Sequence, residues 1–224
     1  MIRLTSTLLL ILLSATTVFS QSTRERDFDF YYKKASRSIS VDLDAAYSYS
    51  VEALRLAEKD ELWMAYFIVG LIHKKNQEYK KSINFYEKAI ESTTSDKNKL
   101  YISNNLANVF LESSKLKEAT SIILRVKAYN EKLSTSYLYH TYSVLSKIHA
   151  KKNNLDSANY YLEKEYQEIE KIKDNRLAKA RYLFEKAELM FQGKQIDSAI
   201  YYQKESLTIR NKINQKGYPI AHIN

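Results

Sequence analysis

Cysteine is absent from this sequence, and its 224 residues include one proline and three glycines. Without cysteine there is no disulfide, no thiolate metal site and no thiol nucleophile, so packing alone has to hold the fold. No alternating apolar run bounded by turn residues occurs, which excludes a sheet protein and leaves an all-α one. The glycines stand apart at 70, 193 and 217, so no glycine-rich loop can cradle a phosphate. The histidines are His73, His140, His149 and His222, with no His-Glu-x-x-His pair among them. A metal is not expected, and His73 and His149 read as packed or half-buried imidazoles. Asp27-Phe28-Asp29 and Asp42-Leu43-Asp44 lack the glycine and glutamate of a calcium loop and read as helix-start and surface acids. No serine sits in a glycine-flanked elbow, and no nucleophile, base and oxyanion donor assemble. A non-enzymatic protein without cofactors is expected, with carboxylates converging from distant positions the one route to acid–base chemistry left open.

The first twenty residues differ from all that follow. Arg3 precedes the apolar run Leu8-Leu9-Leu10-Ile11-Leu12-Leu13, and Val18-Phe19-Ser20 offers a cleavage site. The run is shorter than the roughly 20 residues that span a bilayer, so residues 1–20 are expected to be a cleaved signal peptide. That makes the chain exported and periplasmic, with membrane association only if the leader stays uncleaved or the intact chain continues. The formal net charge is +9, one unit of it on Arg3. Lys and Arg are interspersed with Glu and Asp along every helical stretch, which reads as solvated faces, and no nucleic-acid partner is expected.

Small residues return at 36- to 41-residue intervals: Ala46, Ser82, Ala119, Ala158 and Ala199. A period in this range marks a solenoid, whose units bury their apolar faces only against their neighbours. Each period reads as two amphipathic helices joined by a polar turn. In the second unit these run from Leu62 to Lys75 and from Tyr79 to Glu91, broken at Asn76-Gln77; later breaks fall at Asn153-Asn154 and Gly193. Gly70, Ala107, Ser146 and Ala187 each lie twelve residues before an anchor, where close helix approach requires a small side chain. His73, Phe110, His149 and Met190 follow three residues later as flank fillers.

This constellation resembles the tetratricopeptide repeat (TPR), a family of helix-turn-helix solenoids. The second unit carries the pattern best, with Trp63, Gly70, Ser82, Tyr86 and Ala89; the third has Val126 at the last small position, and the fourth and fifth have Glu165 and Ser206 there. The resemblance implies an all-α, right-handed α-α superhelix of about five helix pairs. Units are placed near 24–59, 60–96, 97–133, 134–174 and 175–213, within a domain of 21–224 whose residues 214–224 begin an incomplete sixth. The family period of 34 and its inter-repeat proline are both exceeded or missing, so second helices are expected to run on. An export signal with long-period units also resembles the periplasmic sensor regions of membrane-bound regulators in Bacteroidetes-type bacteria.

The same resemblance implies a protein or peptide partner held in a concave groove lined by first helices. The expected lining is Met64, Phe67, Leu71, Lys74, Lys75, Tyr101, Asn104, Asn108, Leu111, His140, Ser143, Lys147, Arg181, Phe184 and Glu188. Asn104 and Asn108, one turn apart, stand where family members hold a ligand backbone. Lys74, Lys75, Lys147 and Arg181 favour an acidic segment, and Tyr101 and His140 complete the candidate partner site. The nineteen tyrosines read first as core. In the doublets Tyr160-Tyr161 and Tyr201-Tyr202 one ring is expected inward and the other toward the groove or the next unit, which keeps an envelope glycan as an alternative ligand. A sensor fragment whose membrane and output domains lie elsewhere is the other alternative.

Overall fold

The structure is a computed structural model that describes residues 27–133 and 137–215. The expected signal peptide (1–20) and residues 216–224 of the expected sixth unit lie outside the described residues, while its first two positions, 214 and 215, belong to the last helix. Among the described residues there are ten helices and no strand. Helix α1 covers 27–38. Then come α2 (Leu43–Leu56), α3 (Leu62–Lys75), α4 (Tyr79–Glu91), α5 (Asp96–Glu112) and α6 (Leu116–Leu133). The second half holds α7 (Leu138–Lys151), α8 (Leu155–Ile169), α9 (Arg176–Gln192) and α10 (Ile196–Gln215). Antiparallel pairs stack in order as a right-handed superhelix, and successive first helices α5, α7 and α9 also touch one another.

The two helices of a pair carry different patterns because they have different surroundings. Helix α3 buries Ala65 and every residue from Phe67 to His73, while α4 buries only the stripe Ser82, Tyr86 and Ala89. A first helix is covered by the preceding unit, by its own partner and by the next first helix; a second helix leaves one side in water. Ile72, Val109, Ile148 and Leu189 occupy one repeat position and form a buried ladder through four units. Each such side chain contributes about 1.5–3 kcal/mol.

The small residues mark the crossings, as expected from their spacing. Ser82 Oγ donates to the Gly70 carbonyl at 2.8 Å, and Ser146 Oγ donates to the Ala158 carbonyl at 2.8 Å across the equivalent crossing. One turn on, His73 stacks on Phe85 with centroids 5.3 Å apart, and His149 stacks on Tyr161 at the same separation. Second helices vary in length: α4 has 13 residues, α6 has 18, α8 has 15 and α10 has 20. Without a proline to stop them, their ends are set by where packing runs out.

The turns inside pairs two to five each have one residue in the left-handed region: Gln77 (φ 60°), Ser114 (63°), Asn153 (56°) and Lys194 (60°). The amide that follows closes back on the last turn of the first helix, as from Glu78 to the His73 carbonyl and from Gln195 to that of Met190, each at 2.9 Å. The fifth break falls one residue past its sequence reading. Gly193 has φ −76° and Lys194 takes the strained position. Helix starts follow side-chain chemistry: Asp42 accepts from the Ala45 amide at 2.9 Å, and Asn154 from Ser157 at 3.0 Å.

Candidate functional site

Helices α3, α5, α7 and α9 contribute one face each to a groove. Side chains three or four residues apart on each helix reach the same hollow, of about 220 Å³: Leu71, Lys74 and Lys75 from α3, and Asn104, Asn105, Asn108 and Glu112 from α5. Helix α7 adds His140, Ser143 and Lys147, and α9 adds Arg181, Phe184, Glu185 and Glu188. A second hollow of about 590 Å³ continues along Leu111, Ser146, Ala150 and Gln192 and shares Asn108, Lys147 and Phe184 with the first. Seven of the eight candidate residues therefore meet. Tyr101 stands beside them, its ring 5.0 Å from Phe67 and 6.1 Å from His140, and burial pushes its phenol up. Met64 and Phe67 do not line the groove. Both pack into hydrophobic clusters between α3 and its neighbours, because these positions on α3 face the adjoining helices.

The polar residues of the groove are largely bonded to the protein itself. Asn104 is 2% exposed. Its amide donates to the Leu100 carbonyl at 3.0 Å, and its carbonyl accepts from Thr141 Oγ1 at 3.0 Å. Thr141 in turn accepts from Asn130 at 2.9 Å, so the three form a buried chain joining α5, α6 and α7. Asn108 also donates backward, to the Asn104 carbonyl at 3.3 Å, and no hydrogen bond to its own side-chain oxygen is seen among the described residues. Of the amide pair, Asn108 is the member left with an open acceptor.

The cations meet carboxylates that the sequence reading had not placed there. Lys74 Nζ lies 3.0 Å from Glu112, Lys147 Nζ 2.9 Å from Glu185, and Arg181 Nη2 donates to Glu165 at 3.2 Å. Ser143 Oγ donates to the other Glu185 oxygen at 2.7 Å. Burial opposes the Glu185 anion, but Lys147, Arg181 and Ser143 outweigh it and hold its carboxyl below the ordinary range. Glu165 goes the other way: burial first, then the Glu185 charge, push its carboxyl well above the usual value against the pull of Arg181. His140 is held well below its ordinary value by burial and by Arg181 and Lys147. A guanidinium only donates, so the 2.9 Å contact from Arg181 Nη1 makes His140 Nδ1 an acceptor and puts its proton on Nε2. Lys75 alone of the four candidate cations is exposed with no ion pair among the described residues.

Glu165 and Glu185 are carboxylates converging from distant positions. Glu165 has no exposed surface, so it underlies the groove without reaching it. One sequence signal did point to Glu165, since it replaces the small residue that Ala89 supplies in the second unit. Nothing comparable marked Glu185. In the tyrosine doublets, Tyr161 and Tyr202 pack inward while Tyr160 and Tyr201 stay exposed, and neither exposed ring lines the groove. Second helices face away from it. A separate apolar hollow of about 400 Å³ lies between α4, α5 and α6, lined by residues such as Ile90, Leu106 and Val126. No described helix is long and apolar enough to cross a membrane.

No family model and no curated protein sequence matches the chain. Solved structures do. The Rap conjugation gene regulator of plasmid pLS20, in complex with a Phr peptide, is similar at TM-score 0.72 and 14% identity over 87% of this chain and 56% of that one. The chain thus spans little more than half of that regulator. The apo form of RapI is similar at TM-score 0.60 and 16% identity, covering 91% of this chain and 92% of that one. A Podosopora anserina kinesin light chain of nearly identical TPR-like repeats matches at TM-score 0.56 and 14% identity, over 84% and 96%. Identities this low speak to architecture, and the architecture is that of a TPR-like solenoid of stacked helix pairs.

Proposed function

We propose that the chain is a non-enzymatic, exported interaction module whose first-helix groove takes an extended or helical segment of a protein partner. The observation that carries this is the junction of four helices around one groove, in which the Asn108 carbonyl, the Lys75 ammonium and the half-exposed Phe184 ring remain open to a ligand. An amide acceptor, a cation and an aromatic anchor along one channel suit a peptide, which brings backbone N–H groups, carboxylates and apolar side chains together. The peptide complex of the pLS20 Rap regulator supports the reading by analogy of fold. Internal pairing of Lys74, Lys147 and Arg181 shifts the proposal from a strongly acidic ligand to one of mixed character that offers a carboxylate to Lys75. Export rests on the leader pattern of residues 1–20.

The test uses residues 21–224 as bait for a displayed peptide library. Peptides selected on the wild type are expected to lose about ten-fold or more in affinity, roughly 1.4 kcal/mol, for the Asn108→Ala/Phe184→Ala double variant. The outer-surface variant Tyr160→Ala is expected to bind as the wild type does. Retained affinity in the groove variant removes the reading. A tyrosine fluorescence shift with oligosaccharides, lost in Tyr160→Ala, would favour a glycan instead.

A further inference from the structure

One position in each helix of a pair carries a large side chain in most units: four residues before the small crossing residue of the first helix, and three after that of the second. Unit one has Tyr31 and Tyr49 there, with ring centroids 6.3 Å apart. Unit two has Tyr66 and Phe85 at 6.2 Å, and unit four has Tyr142 and Tyr161, also at 6.2 Å. Separations of this size are those of favourable ring pairs. Unit five has Leu183 and Tyr202 at the two positions. Unit three has Ser103 and Ile122 instead, and both line the apolar hollow of about 400 Å³ between α4, α5 and α6. The hollow is the space of a ring pair that unit three lacks. Its volume falls within the range of about 300–1,000 Å³ that small-molecule pockets occupy.

The charged residues of the hollow define what fits it. Lys99 lies one turn before Ser103 on α5, and Arg125 one turn after Ile122 on the antiparallel α6, so the two cations stand at the same end. Neither has an ion pair or a ring contact among the described residues. Asp96, the acidic residue of the lining, is engaged by the Tyr129 hydroxyl, which donates to it at 2.8 Å. In unit two the repeat position of Arg125 is held by Lys88, whose ammonium lies 5.8 Å from the Tyr66 centroid and 5.4 Å from that of Phe85. Arg125 has the cation of that arrangement without the rings. We propose that the hollow binds a small aromatic carboxylate, whose ring takes the place of the missing pair beside Ile122 and Arg125 and whose carboxylate meets Lys99. A cation over a ring favours an aromatic body over an aliphatic one, and charge-assisted hydrogen bonds favour a carboxylate over a neutral polar group. None of the residues lining this hollow lines the groove, so this site and the peptide reading fail independently.

Calorimetric titration of residues 21–224 with 3-phenylpropionate tests the proposal. Saturable binding is expected with Kd of about 1 mM or tighter. Hexanoate, which lacks the ring, and 3-phenylpropanol, which lacks the charge, are each expected to bind at least ten-fold more weakly. Ser103→Tyr restores the residue type of units one, two and four and is expected to abolish binding, with unchanged helical circular dichroism and a thermal midpoint no lower than the wild type's. Ser103→Leu, the residue type of unit five, is expected to do the same and keeps the test available if the tyrosine is not tolerated. Arg125→Glu is expected to weaken binding at least ten-fold, and the groove variant Asn108→Ala/Phe184→Ala to bind as the wild type does. No saturable binding up to about 10 mM overturns the proposal. So does binding that survives in folded Ser103→Tyr or Ser103→Leu, equal binding of hexanoate or 3-phenylpropanol, or a loss caused by the groove variant. A wild-type dimer that Ser103→Tyr dissociates would give the hollow to a second copy and equally overturn it.

Discussion

Gly70 and Tyr86 touch so closely that a Cβ on Gly70 would stand 2.9 Å from Cδ1 of the ring and 3.0 Å from Cε1. The ring is fully buried and cannot swing away. Gly70→Ala is therefore expected to destabilise the fold by about 1–3 kcal/mol through overpacking, less up to about 1 kcal/mol gained from helix propensity. Unit three pairs Ala107 with Ile123 at the same crossing, so Gly70→Ala combined with Tyr86→Ile is expected to recover stability. A urea double-mutant cycle showing no positive coupling would refute the steric account.

The Tyr86 hydroxyl is itself buried without a hydrogen-bond partner. Tyr86→Phe keeps the ring against Gly70 and Phe67 and deletes the orphan group. Stability is expected to hold or rise by up to about 1–3 kcal/mol in chemical denaturation. A marked loss would mean that the hydroxyl has a partner in solution.

At the turn between α9 and α10 glycine occupies the ordinary position and lysine the left-handed one. Exchanging them, as Gly193→Ala with Lys194→Gly, matches each residue to its backbone. An added Cβ at 193 meets nothing closer than 3.5 Å. Each change is expected to stabilise by about 0.5–1 kcal/mol, read as a rise in thermal midpoint; Lys194→Ala should give no such rise.

Thr141 is the middle of the Asn130–Thr141–Asn104 chain. Thr141→Val preserves shape but removes the acceptor of the Asn130 amide and the donor to the Asn104 side-chain oxygen, and a loss of about 1–3 kcal/mol is expected on urea unfolding. Thr141→Ser should retain most of the stability. Equal losses for Val and Ser would point to packing rather than hydrogen bonding.

His140 and Glu165 give the stability opposite pH dependences. Folded His140 is held well below 6.5, so the unfolded chain gains a proton that the folded chain refuses, and stability is lost as pH falls below about 6.5. Folded Glu165 sits well above 4.5, so the folded chain keeps a proton that the unfolded one releases, and stability is lost as pH rises from about 4.5 through the folded value. Glu165→Gln keeps an acceptor for Arg181 and removes the second dependence. Its advantage over the wild type is expected to grow with pH by at most about 1.4 kcal/mol per unit and to level off below pH 4.5. Parallel stability curves for the two proteins would show that Glu165 is ionised in the fold.

Much of the site could be read from the sequence because a repeat converts spacing into position. Lys74, Asn108, Lys147 and Arg181 lie on first helices, and residues on successive first helices fall side by side however far apart they are in the chain. Their state of charge could not be read the same way. Lys147 became a partner of Glu185, and Asn104 a partner of Thr141, across 38 and 37 residues of chain. Side-chain reach and angle decide such pairs, and neither has a period.

What the sequence determined by itself was the stack: small residues at 36- to 41-residue intervals admit close crossings, and the lack of a proline between units lets second helices run to different lengths. Local chemistry of this kind depends on residues a few positions apart or one unit away. Tertiary structure alone decided that Lys194 rather than Gly193 turns left-handed, that burial and the Glu185 charge push the Glu165 carboxyl up beneath the groove, and that the exposed tyrosines face outward. Those outcomes depend on how much water each group retains once neighbouring helices close over it, and only the packed arrangement sets that.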